Sequence, residues 1–503
     1  MLKGKVFISA SAMVTSLGEG VERNFSALLR GEVGVRRIVN PRVSQSPVTA
    51  GIIPDSVYDA LYERYDRQRT LTLTEIIAVH CISSVLGNRS ADGIGLVIAS
   101  AKGNISLLEG HSSEWAEFHG ETCEVVGSSL LLGPMARRIA SRFGINADDT
   151  FVVSNACISG ITAVAVARRL ILSGRYKEMV VVGVDTQNRF ITSGFASFKS
   201  LSDDVCRPYD ESRCGLNLGE ACGAMLLTTE GEGVCISGAA LTDDANHISG
   251  PSRTGDGLYF AMRKAMAEAG ADNVDMLQMH GTATAYNDEM ESKACSLAGL
   301  QNVPVQSLKP YFGHTMGASG VIETIIAAEE LRNQILAGTP GFETLGVPMP
   351  LNISRSNVEL PSGKPLRALK TASGFGGTNA ALLLEYSPQN ALSCESPVKV
   401  NADVLRTVLV ESSRILLNDK EVYSSDSGDF QDFIRSAFKA VCAPNMKFYK
   451  MDSLSKLGYV ASEVLLDGIE YGEEDCGLIL SGVYGSLDTD IRSGKIQFDI
   501  ICQ

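Results

Sequence analysis

Short, nearly unbroken runs of Val, Ile, Leu and Met recur along residues 1–387, and they constrain the fold more than any other feature of the chain. The clearest are Ile94–Ser100, Thr150–Ser154, Met179–Val184 and Ala221–Thr228; Lys5–Ser9, Val274–Met279, Pro304–Ser307 and Ala380–Glu385 are further candidates. A strand that is apolar at every position, rather than at alternate ones, must be covered on both faces. Helical patterns lie between these runs, including Gly257–Ala269 and Gly320–Leu336. Alternation of this kind predicts an α/β fold with layered, mostly parallel strands. At 503 residues the chain exceeds one ordinary domain, and 45% hydrophobic residues suit a large core. The polar, turn-rich stretch 388–397 reads as a linker. Residues 398–503 form a separate small region: a meander over Val400–Val422, helices from about Phe430 and over Leu454–Leu466, and a strand at Leu478–Ser481.

Several function classes are disfavoured. The net charge of −14 argues against nucleic acid as the main partner, since phosphate contacts need a basic surface. No apolar run reaches the roughly 18 residues of a membrane helix. The N-terminus, MLKGKVFISASAMVTSLGEG, reads as a strand and turn rather than a signal peptide. Twelve cysteines are scattered through apolar runs without a C-x-x-C pair, as expected of reduced thiols in a cytoplasmic protein.

The chemistry concentrates at Cys157. In TFVVSNACISGITAVAVARRLILSG a short apolar strand leads into Cys157, and a long helical run follows, closed by Gly174. A cysteine at that turn meets a helix N-terminus, where the dipole and free N–H groups favour a thiolate. The alternative is a packed, inert thiol. Of the six histidines, His280 closes the strand in VDMLQMHGTATAYND, and His314 lies between glycines in SLKPYFGHTMGASG, ahead of a helix. Both stand at strand ends, where α/β sites form. A Cys/His/His set could also hold zinc, although the three are isolated in sequence and a fourth ligand is not evident.

Five ordered motifs then point to a family. SNACISG, CRPYDESRCGLNLGEACGAMLL, HGTATAYND, KPYFGHTMGASGVIE and GFGGTNA make the chain resemble, over about 1–387, the β-ketoacyl-[acyl carrier protein] synthases of the thiolase superfamily, of the Cys–His–His kind. The resemblance implies a five-layered αβαβα fold with duplicated halves, here 1–235 with the nucleophile and 236–387 with the two histidines. It implies decarboxylative condensation of an acyl thioester on Cys157 with malonyl-acyl carrier protein, without metal or other cofactor. His280 and His314 would hold the malonyl thioester carbonyl, with Lys309 and Glu323 supporting the second histidine. Thr282 and Thr284 would contact the pantetheine arm, and Phe375 and Gly376 the substrate. The backbone N–H groups of Cys157 and Phe375 would form the oxyanion hole. The implied partners are acyl carrier protein in its acyl and malonyl forms, and a second ketosynthase-like chain in a homodimer or heterodimer. A non-catalytic subunit of the chain-length-factor type is the alternative reading.

Two departures stand out: Ala283 where Gly or Ser is usual, and Ser373 where many relatives carry a second Phe, which would enlarge or polarise the acyl pocket. The stretch RFITSGFASFKSLSDDV is nearer to ketosynthases of bacterial aryl-polyene-type pathways. Residues 398–503 resemble the start of a second ketosynthase-like unit, with Asp66 set against Asp452. That region holds no histidine and is expected to be non-catalytic.

Overall fold

The structure, a computed structural model, describes residues 4–107, 129–244, 246–247, 249–387 and 404–470. The chain divides into two compact units, Met1–Lys399 and Val400–Gln503. The linker segment 388–397 and the strand expected at Leu478–Ser481 lie outside the described residues.

The first unit is built on strands β1 (Val6–Thr15), β2 (Gly95–Ala99), β3 (Thr150–Val153), β4 (Glu178–Asp185), β5 (Ala221–Thr228), β6 (Gly233–Asp243), β7 (Met276–Gln278), β8 (Pro304–Gln306), β9 (Asn352–Ile353), β10 (Leu366–Gly374) and β11 (Thr378–Ser387). They form one path, β9-β8-β7-β10-β11-β6-β1-β5-β4-β2-β3. The path is two copies of one motif. In β1–β5 the spatial order is third, second, fourth, fifth, first, with the first three neighbours parallel and the last two pairings antiparallel. Setting aside the two-residue β9, β6–β11 repeat that order and those directions. Within the sheet path the copies join where Val6 and Phe7 of β1 pair with Ile236 and Cys235 of β6.

Helices α1 (Asp55–Tyr65), α2 (Leu73–Leu86), α3 (Leu132–Ser141), α4 (Ser159–Leu172), α5 (Arg189–Ser197), α6 (Asp256–Ala269), α7 (Ala285–Leu297) and α8 (Ser319–Asn333) complete the unit. Burial sorts the layers. Ile76, Ile82 and Ile139 of α2 and α3 pack on Leu96, Ile98 and Val182, whereas Val97 and Val181 face the opposite way, toward Ile161 of α4 and Val321 of α8. Leu258 and Met262 of α6 cover Leu369 and Leu383 from the far side. Both faces of each half-sheet are therefore covered, which is why the strands read as unbroken apolar runs. The result is the expected αβαβα layering, with α4 and α8 in the middle.

The helices begin and end where the sequence indicates, with one shift. Gly174, at φ 76°, follows the end of α4 and its N–H meets the Ile171 carbonyl. The helix expected over Gly320–Leu336 is α8, which stops at Asn333 because Gln334 turns left-handed (φ 55°) into a short strand at Ile335–Leu336.

The second unit has a three-stranded antiparallel meander, β12 (Val408–Val410), β13 (Arg414–Leu417) and β14 (Lys420–Ser424), with helices α9 (Phe430–Val441) and α10 (Ser453–Leu466). Its own core holds Ile415, Phe433, Phe438, Phe448 and Val460, with Phe438 and Phe448 stacked at 3.9 Å. Asp452 is the N-cap of α10, accepting from Ser455 N. In the first unit Thr72 plays that part for α2, and both helices have 14 residues. Asp66 instead sits past the end of α1, accepting from Leu71 N at 2.7 Å. Asp66 and Asp452, set against each other in sequence, therefore hold different positions relative to their helices.

Candidate active site

The nucleophile turn is tight. After β3, Ala156 adopts φ 45°, Ser159 N–H meets the Ala156 carbonyl, and the Ser159 hydroxyl donates to that same carbonyl at 2.6 Å while accepting from Asn155 N. This brings Cys157 to the mouth of α4, buried, with its sulfur 3.0 Å from Nε2 of His314. The rings of His280 and His314 are edge to face at 5.1 Å. The sulfur and the ligating ring nitrogens of these three residues all fall within 4.8 Å of one another. The three residues singled out in the sequence share one site.

Each histidine is held by its backbone. His314 donates its N–H to the Asn217 carbonyl at 2.6 Å, and its Nδ1 lies 3.3 Å from the Ser319 hydroxyl. The turn after β7 is tied to Glu291 of α7, which accepts from His280 N, Gly281 N and the Tyr209 hydroxyl. Ala283 completes this turn in a left-handed conformation, φ 61°. The Thr282 and Thr284 hydroxyls bond each other at 2.8 Å. Ser373, expected to polarise an acyl pocket, spends its hydroxyl on Asn379 Oδ1 at 2.7 Å.

Phe375 follows β10, and its backbone N–H points at the Cys157 sulfur. Its ring stacks on Phe195 of α5 at 5.9 Å and meets Phe198 edge on at 5.7 Å. Phe195 in turn lies edge on to His314. Behind this lies an apolar cluster of Ile105, Leu130, Ile191, Leu216, Leu218 and Met316.

Electrostatics follow from burial. Burial pushes the Cys157 thiol up to about 11, although the Lys309 charge and the Phe375 N–H work the other way. The thiolate preference expected at a helix start is therefore outweighed; the resting nucleophile is a thiol with an imidazole beside it. Burial, with Lys309 and Lys370 adding to it, holds His280 and His314 well below the ordinary histidine range, so both rings are neutral. Lys309 and Glu323 pair directly, as expected. Of this pair Lys309 reaches His314 through its field, since the ring partners of His314 are Cys157 and Ser319. A dication among the three donors would face two buried ammoniums and lack a fourth ligand, so the set is poorly suited to zinc.

Sequence reasoning passed over Ser319, Lys370, Phe195 and Phe198. Ser319 lies inside a quoted motif, five residues after His314, and a search for a partner to Nδ1 would have found it.

Residues 63–232 match the N-terminal domain of β-ketoacyl synthases and residues 234–343 the C-terminal domain, together more than half of the chain. The 3-oxoacyl-[acyl-carrier-protein] synthase 2 of Vibrio cholerae is 27% identical over 418 residues, covering 76% of this chain and 100% of that protein. The enzyme of the same name from Rhizobium meliloti is 28% identical, over 76% of this chain and 98% of its own. Among solved structures, a ketosynthase in complex with its chain length factor from Xenorhabdus doucetiae is similar with a TM-score of 0.64 at 25% identity, over 76% of this chain and 98% of that one. A β-ketoacyl synthase from Burkholderia phymatum shares the fold with a TM-score of 0.67, at 22% identity over 76% of this chain and 100% of the other. With its layered fold, its duplicated halves and its Cys157–His314–His280 cluster, the chain belongs to the β-ketoacyl synthase family.

Proposed function

We propose that the protein is a 3-oxoacyl-[acyl carrier protein] synthase that condenses an acyl group held on Cys157 with a malonyl unit, in fatty-acid or polyketide-like biosynthesis. The observation that carries this reading is the meeting of one buried thiol with two neutral imidazoles, the Cys157 sulfur being 3.0 Å from His314 Nε2.

The sulfur attacks the acyl thioester of the carrier, His314 accepting the thiol proton, and the carrier thiol leaves. In the second half-reaction the bond between the malonyl α-carbon and its carboxylate breaks. Carbon dioxide departs, and the electron pair stays as an enolate. Two neutral N–H donors stabilise that oxygen in a dry pocket. The carbanion then attacks the acyl carbonyl on Cys157, whose oxyanion takes the N–H groups of Cys157 and Phe375, and the thiolate is expelled. Lys309 and Glu323 fix the charge behind His314. Thr282, Thr284, Phe375 and Gly376 border the path of the pantetheine arm. The apolar cluster around Ile105, Leu218 and Met316 suits an acyl chain.

The carrier is an acyl carrier protein, and a second ketosynthase-like chain, identical or of the chain-length-factor type, completes the assembly. Among the described residues eight cysteines are unpaired thiols and no helix is long and apolar enough to cross a membrane; both suit the cytoplasm. Residues 1–235 and 236–387 are read as the two halves and 388–397 as a linker. Residues 398–503, which carry no histidine, are read as a non-catalytic region.

The test is mass spectrometry of the protein incubated with a panel of acyl carriers, followed by malonyl carrier. An acyl adduct on Cys157 and a 3-oxoacyl product two carbons longer are expected, and neither from Cys157→Ala. Equal product from Cys157→Ala, or a folded wild-type chain that takes no acyl group from any carrier, would sink this reading.

A further inference from the structure

Glu323 has two cationic partners, not one. Its Oε1 meets Lys309 Nζ, and its Oε2 lies 2.5 Å from Nζ of Lys370, which also donates to the Thr371 carbonyl at 2.7 Å. All three side chains are buried, Lys370 completely. The placement comes from strand parity: on β10, Lys370 shares a face with Ala368 and Ala372, which pack in the middle layer, where α8 presents Glu323.

Two ammoniums on one carboxylate leave one positive charge over. Lys309 with Glu323 alone would be a neutral pair. The nearby acids offset the surplus only in part, through the field of Glu291 on Lys370. Glu291 is turned to the amides of His280 and Gly281 and to Tyr209. Glu330, held by Gln306 and by Ala337 N, is pushed up to about 8 by burial and so keeps its proton. The charged or titratable neighbours of His280 are Lys309, His314, Lys370 and, through its backbone, Glu291; those of His314 are Lys309, Lys370, His280 and Cys157.

We propose that Lys370 is a positioning residue for the decarboxylation step: it gives the Lys309–Glu323–Lys370 cluster its surplus positive charge, which acts through His280 and His314 on the thioester oxygen. The inference rests on the condensing activity proposed above. When the malonyl carboxylate leaves as carbon dioxide, the electron pair it leaves behind delocalises onto the thioester oxygen, the atom the imidazoles hold. Negative charge thereby moves toward the cluster, and a fixed positive charge favours that movement in a water-poor site. On the Cys157 thiol the leading cation is Lys309, which also acts on both histidines.

The two half-reactions separate the claim from a structural role. In Lys370→Met, release of carbon dioxide from malonyl carrier should fall about tenfold or more, while acylation of Cys157, in which His314 with one cation fewer nearby takes the thiol proton more readily, should not fall. Parallel loss of both half-reactions would mark Lys370 as a packing residue, and unchanged decarboxylation would dismiss it altogether; either overturns the proposal. If Lys370→Met does not fold, Lys370→Gln, which is polar but uncharged, is scored by the same split. A wild-type chain that acylates Cys157 but never decarboxylates malonyl carrier would remove the condensing activity itself, and is told apart from failure of the Lys370 claim because it appears before any substitution is made.

Discussion

The two halves of the first unit have the same strand order and pairing directions, yet they place different chemistry at matching points. At the end of the second strand the N-terminal half has Ser100 and the C-terminal half His280. At the end of the third, Cys157 faces His314 across the middle layer. The fourth strand of the N-terminal half ends in Asp185, buried and pushed up to about 6 by burial although Ser100, Ala101 and Gly317 donate to it. The fourth strand of the other half carries Lys370 and ends beside the Phe375 loop. One half thus supplies the nucleophile and an anion that fastens the loop after His314; the other supplies imidazoles and cations. Duplication gives two strand ends that point at one cavity, and divergence gives each end its own task.

The meeting of the halves depends on two glycines in matching positions. Gly160 and Gly320 are each the second residue of a central helix. A Cβ at Gly320 would come 2.3 Å from Ile161 N, and one at Gly160 would come 2.7 Å from Val321 N. Backbone lies on both sides, so no side chain can move aside. Gly320→Ala should cost ~3 kcal/mol or more, with Gly160→Ala close behind, both read as a fall in the urea midpoint. A tolerated alanine at either position would mean that the helix starts do not meet in this way.

Much of this was legible in the sequence because the physics was local. Unbroken apolar runs announced strands covered on both faces, and the apolar strand and helical run flanking Cys157 placed it at a helix start. What escaped depended on tertiary placement. Strand β10 (LRALKTASG) was not singled out, because Arg367 and Lys370 read as solvent-facing charges, whereas Lys370 is fully buried against Glu323. Strand β6 was missed for its small residues, which pair between two other strands. Phe198 looked like any exposed aromatic until its neighbour across the mouth, Phe375, was known.

The asymmetry in histidines gives a pH test. Both imidazoles titrate below their ordinary value when folded, burial being the first cause and Lys309 the next. In the unfolded chain they take protons from about pH 6.5 downward, so the unfolded state binds more protons and stability falls as pH falls through that range. Asp185, raised to about 6, and Asp288, raised to about 7, oppose this: each binds its proton first in the folded state, and each loses stability as pH rises. His280→Asn should therefore flatten the loss of unfolding free energy between about pH 6.5 and pH 5 by up to ~1.4 kcal/mol per pH unit. Asp185→Asn, in the other half, should steepen it. Identical slopes in wild type and His280→Asn would mean that His280 is not held neutral.

The smallest effect compares two strained alanines. Ala156 before Cys157 and Ala283 after His280 both sit at positive φ, 45° and 61°, where a Cβ crowds the following carbonyl. Glycine removes that crowding, worth ~1 kcal/mol, less part of what a freer unfolded chain takes back. Ala283→Gly should thus raise the urea midpoint slightly and leave turnover near wild type, since Glu291 already holds the amides of His280 and Gly281. Ala156→Gly should gain similar stability but lose turnover, because glycine gives the backbone freedom at the residue next to Cys157. If both variants gain stability and neither loses turnover, the strain at Ala156 is incidental, and the two strand ends differ in their side chains alone.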